Sequence, residues 1–467
     1  MIALENDWTC ALASSLLSGV ASETRQDLLD WLAGATRREE MRVERVALDE
    51  LSEWRFEPGP LRIVHRSGRF FSVEGIRTRT NFGPIPVWDQ PIINQPEVGI
   101  LGLLARQADG VLEFLMQAKT EPGNINGAQL SPTVQATHSN YQKVHGGRTP
   151  QYLEYFIEPG RGKVVLDQLQ GEQGARFLRK RNRNMVVITT DPIPETANFR
   201  WMPLRQIKEM LAVDHFVNMD VRSIVGCLSM PACVNRDDSR LSDFGRALVA
   251  SAENGRRSVH TTAEIVDWLS RMGASYSYTV ERRGLDEIDD WVLTREEIYH
   301  HSRHFFSVVG VSVESRSREV ASWRQPLLYH PGRGLNGMVT QEIDGVLHFL
   351  IRACFYPGNS RMFELGTTVS RSDYAQYFGS PGAPPFLDLF RSPDPAHVRY
   401  SSVQSEEGGR FLHYRNEYVI LRLPPGSIGA VPDNFAWMTL RQIEELMPYG
   451  YFNIEARNLL ACLHPLL

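Results

Sequence analysis

The sequence predicts an α+β protein built as a tandem duplication, each copy a curved, mixed, mostly antiparallel sheet with helices packed on it. Three observations predict it. Segments of the first half recur in order about 235 residues later: Arg69-Phe-Phe-Ser-Val-Glu-Gly-Ile76 as His304-Phe-Phe-Ser-Val-Val-Gly-Val311, and Trp88-Asp-Gln-Pro91 as Trp323-Arg-Gln-Pro326. Strand-like alternation runs into Asp109-Gly110 and Asp344-Gly345, a dipeptide that favours tight hairpins. Each half closes on two segments of helical apolar spacing, 201–211 with 218–228 and 437–447 with 453–463.

The elements follow in order. Residues 1–20 read as a lead-in helix, and Ser22 caps a helix whose Asp30-Trp-Leu32 returns as Asp267-Trp-Leu269. Val43-Glu-Arg and Val280-Glu-Arg open matching strands that lead to turns carrying Trp54 and Trp291, each beside acidic residues and so read as loop tryptophans. The two Phe-Phe-Ser-Val strands and the Trp-x-Gln-Pro segments come next. A second pair of strands, 111–119 and 346–354, enters a Pro-Gly-Asn turn in both copies. Residues 151–157 and 164–166 are expected to continue the sheet. The segment Asn235-Arg-Asp-Asp-Ser-Arg240 marks the boundary between units 1–235 and 236–467.

The 467-residue length exceeds a usual single core, consistent with two domains. A net charge of -5 disfavours a nucleic-acid partner, because phosphate binders carry a basic surplus. Five cysteines without a Cys-x-x-Cys pair read as free thiols in a reducing compartment. The N-terminus shows no basic-then-apolar leader and no uncharged run reaches membrane length, so a cytoplasmic protein without a membrane partner is expected.

The chemistry concentrates between residues 119 and 145. Lys119, Glu121, Thr137, His138, Ser139, Asn140, Tyr141 and His145 supply amine, carboxylate, hydroxyl, imidazole, amide and phenol, poor core material and good pocket lining. The second copy has Cys354 and Tyr356 opposite Lys119 and Glu121 and no counterpart of His138, so proton transfer is expected in the first half. Tyr141 and His145 are the leading candidates, then Lys119 and Glu121 as an acid–base or orienting pair, with Glu172 after them. In Arg179-Lys-Arg-Asn-Arg-Asn184, alternation sends Arg179, Arg181 and Arg183 to one face, able to grip a diphosphate. No nicotinamide fingerprint, phosphate loop or zinc motif is present, and His300-His301 with His304 reads as a surface loop, not a metal site.

These segments together resemble the NDP-hexose 2,3-dehydratase family across essentially the whole chain. The resemblance is carried by both Phe-Phe-Ser-Val strands, the Trp-x-Gln-Pro segments, the Pro-Gly-Asn turns, Gln129-Leu-Ser-Pro-Thr-Val-Gln135, Thr137-His-Ser-Asn-Tyr141, Arg176-Phe-Leu-Arg-Lys-Arg-Asn-Arg-Asn184 and Asn218-Met-Asp-Val-Arg-Ser223. It implies tandem Nudix-like domains lacking a Nudix box, a homodimer, and no cofactor or metal. It also implies a dTDP-linked 4-keto-6-deoxyhexose substrate and a partner 3-ketoreductase taking the product. On that basis Trp54 and Trp291 are expected to stack on thymine, and Arg148, Arg181 and Arg371 to meet the diphosphate. Thr137, His138, Ser139, Asn140, Gly171, Ser402 and Arg415 complete the expected substrate contacts. Gly171 departs from the pattern, because the second copy has Ser405 there. The competing readings are a Nudix-type pyrophosphohydrolase, which needs clustered glutamates around a divalent ion, and a non-catalytic nucleotide-sugar binding protein.

Overall fold

The computed structural model describes residues 2–17, 23–137, 150–253, 255–316, 320–371 and 383–463. Four sheets organise them. In the first repeat a large mixed sheet runs Lys163–Gly171, Arg181–Ile188, Gly99–Ala108, Val111–Thr120, Phe199–Pro203, with short strands Ala128–Ser131 and Val134–Ala136 attached. The second repeat repeats this order with Val398–Ser405, Arg415–Leu423, Gly334–Ile343, Val346–Cys354 and Phe435–Thr439. In each, one pairing is parallel and the rest antiparallel. Helices cover one face of each large sheet, and both sets merge into one apolar core.

The two smaller sheets are completed by exchange. Arg42–Val46 of the first repeat pairs antiparallel with Ser307–Glu314 of the second, and Tyr278–Arg283 of the second pairs with Ser72–Thr80 of the first. The sequence repeats are therefore contiguous, but the folded sheets are not. The tryptophans follow the same crossing. Trp54 Nε1 donates to Arg324 O at 2.9 Å, and Trp291 Nε1 donates to Asp89 O at 2.7 Å, each reaching the Trp-x-Gln-Pro strand of the other repeat.

Loops cross as well. Gly123 N donates to Gly408 O at 2.7 Å, and in mirror fashion Gly358 N donates to Gly174 O at 2.8 Å. A Cβ on Gly123 would lie 1.6 Å from Phe411 O, and one on Gly358 would lie 1.8 Å from Phe177 O. The Pro-Gly-Asn turns thus need glycine because the other repeat's backbone occupies the side-chain position.

Helix starts obey capping chemistry. The helix Arg25–Glu39 is capped by Thr24 with Asp27 in a reciprocal box, and Thr262–Ser275 by Thr261 with Glu264. The cap is thus Thr24; Ser22 lies outside the described residues. Two further expectations are corrected. Residues 154–157 form a helical turn, not a strand, because Tyr152 takes a φ of 66° and turns the chain so that Phe156 packs over Gly102. Residues 199–203 are a strand, with the helix beginning only at Leu204, since Pro203 sits extended at the N-cap and Trp201 pairs with Leu115.

Candidate active site

The crossing loops gather two related polar clusters, the linings of a first and a second candidate pocket, each set on one repeat's large sheet and faced by the other's loop. The first is built on Lys119, at the end of strand Val111–Thr120. Lys119 Nζ donates to Glu121 Oε1 at 2.8 Å and to Gln135 Oε1 at 2.5 Å. Gln135 Nε2 in turn donates to Glu407 Oε1 at 3.4 Å, and the Gly409 N–H holds that same oxygen at 2.8 Å. Glu407 arrives from the second repeat, on the loop against which Gly123 closes. Asn218, the N-cap of the helix Met219–Val225, donates to the other Glu121 oxygen at 3.4 Å. An amine, two carboxyls and two amides therefore converge across the repeat boundary.

Burial sets their electrostatics. Glu121 is 7% exposed, and its carboxylate is balanced by the Lys119 ammonium beside it. The Glu407 carboxyl is pushed up to about 7, first by desolvation and then by the neighbouring Glu121 carboxylate, against the pull of Arg410 and Lys119. Behind them Asp220 is buried, and desolvation with the surrounding Glu407, Glu172 and Glu121 carboxyls raises it well above its ordinary range. His215, half-buried, meets Ser405 Oγ through Nδ1 at 3.1 Å, and Gln129 Nε2 donates to the same hydroxyl at 3.2 Å.

The second pocket has the same frame and different contents. Lys119, Glu121, Gln135 and Glu407 are replaced by Cys354, Tyr356, Ser370 and Gln173. Arg352 Nε lies 3.4 Å from Cys354 Sγ, and burial raises both the Cys354 thiol and the Tyr356 phenol. Gln129 becomes Glu364, whose Oε1 accepts the Ser360 N–H at 3.3 Å while Oε2 has no protein partner among the described residues. Desolvation pushes Glu364 up to about 7. A Cβ added at Gly171 would stand 3.6 Å from Glu364 Oε1, the place where the first pocket has the Ser405 hydroxyl.

The frame itself is kept in both copies. Asn182 Nδ2 donates to Glu172 Oε1 at 2.6 Å, as Asn416 Nδ2 donates to Glu406 Oε1. Arg457 Nη2 donates to Gly171 O at 2.6 Å, and Arg222 Nη2 donates to Ser405 O. Each arginine thus ties the closing helix of one repeat to the loop of the other. Glu172, a later candidate for proton transfer in the first half, belongs to the loop that closes the second pocket, because the loops cross.

The remaining predicted residues divide as follows. Trp54 is 6% exposed and begins the strand Trp54–Glu57, packed at 4.7 Å against Phe71, so it is a core residue and not a loop tryptophan; its acidic neighbour Glu53 accepts the Arg324 N–H at 3.3 Å, beside the indole's own bond to Arg324 O. Trp291 is half-buried, begins the short strand Trp291–Leu293 and packs at 5.1 Å against Phe306. In the basic run the alternation holds only from Arg181, where the strand Arg181–Ile188 begins; Arg179 precedes it with a φ of 52° and is not part of that face, and the arginine face is the outer one. Arg181 is exposed and Arg183 pairs with Asp167 at 2.6 Å, while Lys180, Asn182 and Asn184 point inward. Arg415 is likewise exposed, opposite Ser405. Ser402 is buried and spends its hydroxyl on Asp214 at 2.8 Å. Arg371 and Thr137 are half-buried at the ends of described segments. His138, Ser139, Asn140, Tyr141, His145 and Arg148 lie outside the described residues. At the triple-histidine segment, His300 Nδ1 meets Ser302 Oγ at 2.8 Å, and no group of three metal-ligating side chains gathers among the described residues.

Glu407, Gln135, Asn218 and Asp220 were missed by sequence reasoning. One signal was present: Glu406-Glu407 aligns with Glu172-Gln173, so one carboxyl is common to both copies and its neighbour is not.

Comparison with known proteins agrees with this duplicated frame. A family model described as NDP-hexose 2,3-dehydratase matches residues 25–228 and again 262–463. The chain is 43% identical over 441 residues to a Saccharopolyspora spinosa protein named dTDP-4-dehydro-6-deoxy-alpha-D-glucopyranose 2,3-dehydratase, covering 93% of this chain and 90% of that one. Proteins of the same name from Streptomyces violaceoruber (41% over 442 residues, 93% of this chain and 96% of the relative) and Amycolatopsis orientalis (38% over 462 residues, 97% and 93%) are also similar. Two matched copies, spanning the repeats whose sheets and loops interlock, place this chain in the NDP-hexose 2,3-dehydratase family.

Proposed function

We propose that the protein removes water across C2–C3 of dTDP-4-keto-6-deoxy-D-glucose, giving dTDP-3,4-diketo-2,6-dideoxy-D-glucose after the enol tautomerises. The named relatives support the substrate. The observation that carries the chemistry is the Lys119–Glu121–Gln135 chain ending on a carboxyl of the other repeat. The C4 ketone acidifies the C3 hydrogen, so the reaction needs a base at C3, a donor for the developing enolate oxygen and an acid at the C2 hydroxyl. Lys119 is the donor: its charge is fixed by Glu121 and needs no reorganisation as the oxygen becomes negative. Glu121, or Tyr141 and His145 on the segment after Thr137, supply the base. Glu172 joins Glu406 in holding the crossing loops.

The second pocket, with Cys354 and Tyr356, is assigned to holding nucleotide or supporting the fold. Trp291, the exposed Arg181 and Arg415, and Arg148 and Arg371 remain proposed nucleotide contacts. We also read each repeat as Nudix-like and the enzyme as a cytoplasmic homodimer whose unstable product passes to a 3-ketoreductase in deoxysugar biosynthesis, on the strength of the family resemblance; sedimentation of a fully active monomer at micromolar concentration would remove the dimer.

The test is turnover of the keto sugar nucleotide in EDTA, with the product trapped by a 3-ketoreductase. The expected result is a reduced 2,6-dideoxy sugar nucleotide with dTDP intact. Release of dTMP, or complete loss of turnover in chelator, would replace the dehydratase with a metal-dependent pyrophosphohydrolase. Tight binding with no C3 exchange in deuterated water would leave only a binding protein.

A further inference from the structure

We infer that Glu407, contributed by the second repeat, is the acid that protonates the departing C2 hydroxyl in the first-repeat pocket. The inference rests on the dehydratase reading above and adds to it a residue from the opposite wall. The two adjacent carboxyls of this loop have separate duties. Glu406 accepts from Asn416, Tyr418 and Gln173, the last at 2.6 Å, and is committed to the frame. Glu407 accepts only the Gly409 N–H and a long 3.4 Å contact from Gln135 on one oxygen, and its Oε2 takes no hydrogen bond among the described residues.

The repeat comparison separates the same two residues. Glu406 has Glu172 as counterpart, whereas Glu407 has Gln173, which carries no exchangeable carboxyl proton. Lys119, Glu121 and Gln135 are lost from the second pocket together with it. Four contacting positions that diverge inside a kept frame mark one working unit. Desolvation and the Glu121 carboxylate also favour the protonated form of Glu407 at neutral pH, as an acid requires.

The step balances without a redox partner. The base takes the C3 proton, and the C–H electron pair forms the C3–C4 enolate with charge on the C4 oxygen facing Lys119. The enolate collapses, restoring the C4 carbonyl and forming the C2–C3 double bond, while the C2–O bond breaks with its electron pair. The Glu407 proton turns the leaving hydroxide into water, and Glu407 is left as a carboxylate to be reprotonated by solvent.

The experiment compares E407Q and E407D with the parent in C3 deuterium exchange, trapped elimination, dTDP affinity and thermal melting. For E407Q the expected result is unchanged melting and affinity, C3 exchange within about fivefold of the parent, and elimination lowered by roughly 10²–10⁴, the usual worth of a positioned acid. Elimination within about threefold of the parent overturns the proposal. Equal loss of exchange and elimination overturns it too, since Glu407 would then act before the C2–O bond breaks. Should E407Q melt early, E407D decides: its elimination must fall off at lower pH than the parent's while exchange keeps its profile, and an unmoved elimination profile overturns the assignment. A parent enzyme inert toward this nucleotide in both assays removes the dehydratase reading, and this inference with it, before any variant is made.

Discussion

The two pockets share a frame and differ in nearly every group able to move a proton. Asn182 and Asn416, Glu172 and Glu406, Arg222 and Arg457 are matched pairs holding the crossing loops. Lys119, Glu121, Gln135 and Glu407 face Cys354, Tyr356, Ser370 and Gln173 on the other side. The duplication preserves a hydrogen-bonding scaffold while changing a contiguous contact set, and the function proposed above assigns support to the first and chemistry to the second. The scaffold persists because removing either partner would leave a buried polar group unpaired, a cost that does not depend on which pocket reacts.

Replacing the reacting set should break the comparison most sharply. Lys119→Met or Glu121→Gln should lower elimination by roughly 10²–10⁴ with little change in dTDP affinity, whereas Cys354→Ala should stay within a few-fold of the parent. Steady-state kinetics on all three checks this, and an inert Cys354→Ala beside an active Lys119→Met would move the chemistry to the second pocket.

The tryptophans offer the next largest effect. Trp54→Ala should cost about 3–5 kcal/mol of stability because it empties a core site, and it should leave dTDP affinity unchanged. Trp291→Ala, half-buried, should cost less. Denaturant unfolding with parallel dTDP titration distinguishes this from a stacking role, in which Trp54→Ala would weaken binding without destabilising.

A pH scan reads the buried carboxyls of both pockets together. Burial raises Glu364, Glu407 and Glu455, the last on the helix Ile454–Ala461, to about 7 in the folded protein, above the ordinary carboxylate value of the unfolded chain. The folded state therefore holds protons that the unfolded chain has released, and stability is highest below the unfolded value and lost as pH rises through about 7. Melting temperature should fall between pH 5 and 8, by the equivalent of about 2 kcal/mol per group. Glu364→Gln, which copies Gln129 of the first pocket, should flatten its share of that slope. An unchanged slope in this variant would show that Glu364 does not titrate in the window.

The smallest expected change is Gly171→Ser. It restores the hydroxyl of the first pocket beside Glu364 and should stabilise the protein by about 1 kcal/mol at pH 8, where that carboxylate is charged, and by less at pH 5. Melting at the two pH values checks the difference.

Much of this frame was legible in sequence. Duplication, hairpins and the repeated helices follow from local spacing, although the first cap is Thr24 with Asp27, two residues beyond the Ser22 expected. The Lys119–Glu121 pairing was legible for the same reason, being two residues apart. Glu407 was not, since its place depends on contacts 272 positions apart with Gln135. Nor was the burial of Trp54, whose indole partner Arg324 stands 270 positions away in the other repeat. The outward turn of Arg181 and Arg183 shows the limit within a strand: alternation fixes which residues share a side, and only packing chooses the side.

The exchanged strands also bear on how the chain is made. The sheet containing Ser72–Thr80 lacks its outer strand until Tyr278–Arg283 has been synthesised, after the whole first repeat has left the ribosome. Until then that edge presents unpaired backbone groups to any passing strand, including the same edge on another nascent chain. Translation thus spends a long interval with an open edge that the finished protein closes from its own second half, so slowing elongation between codons 230 and 280 should increase aggregation more than slowing it after codon 300.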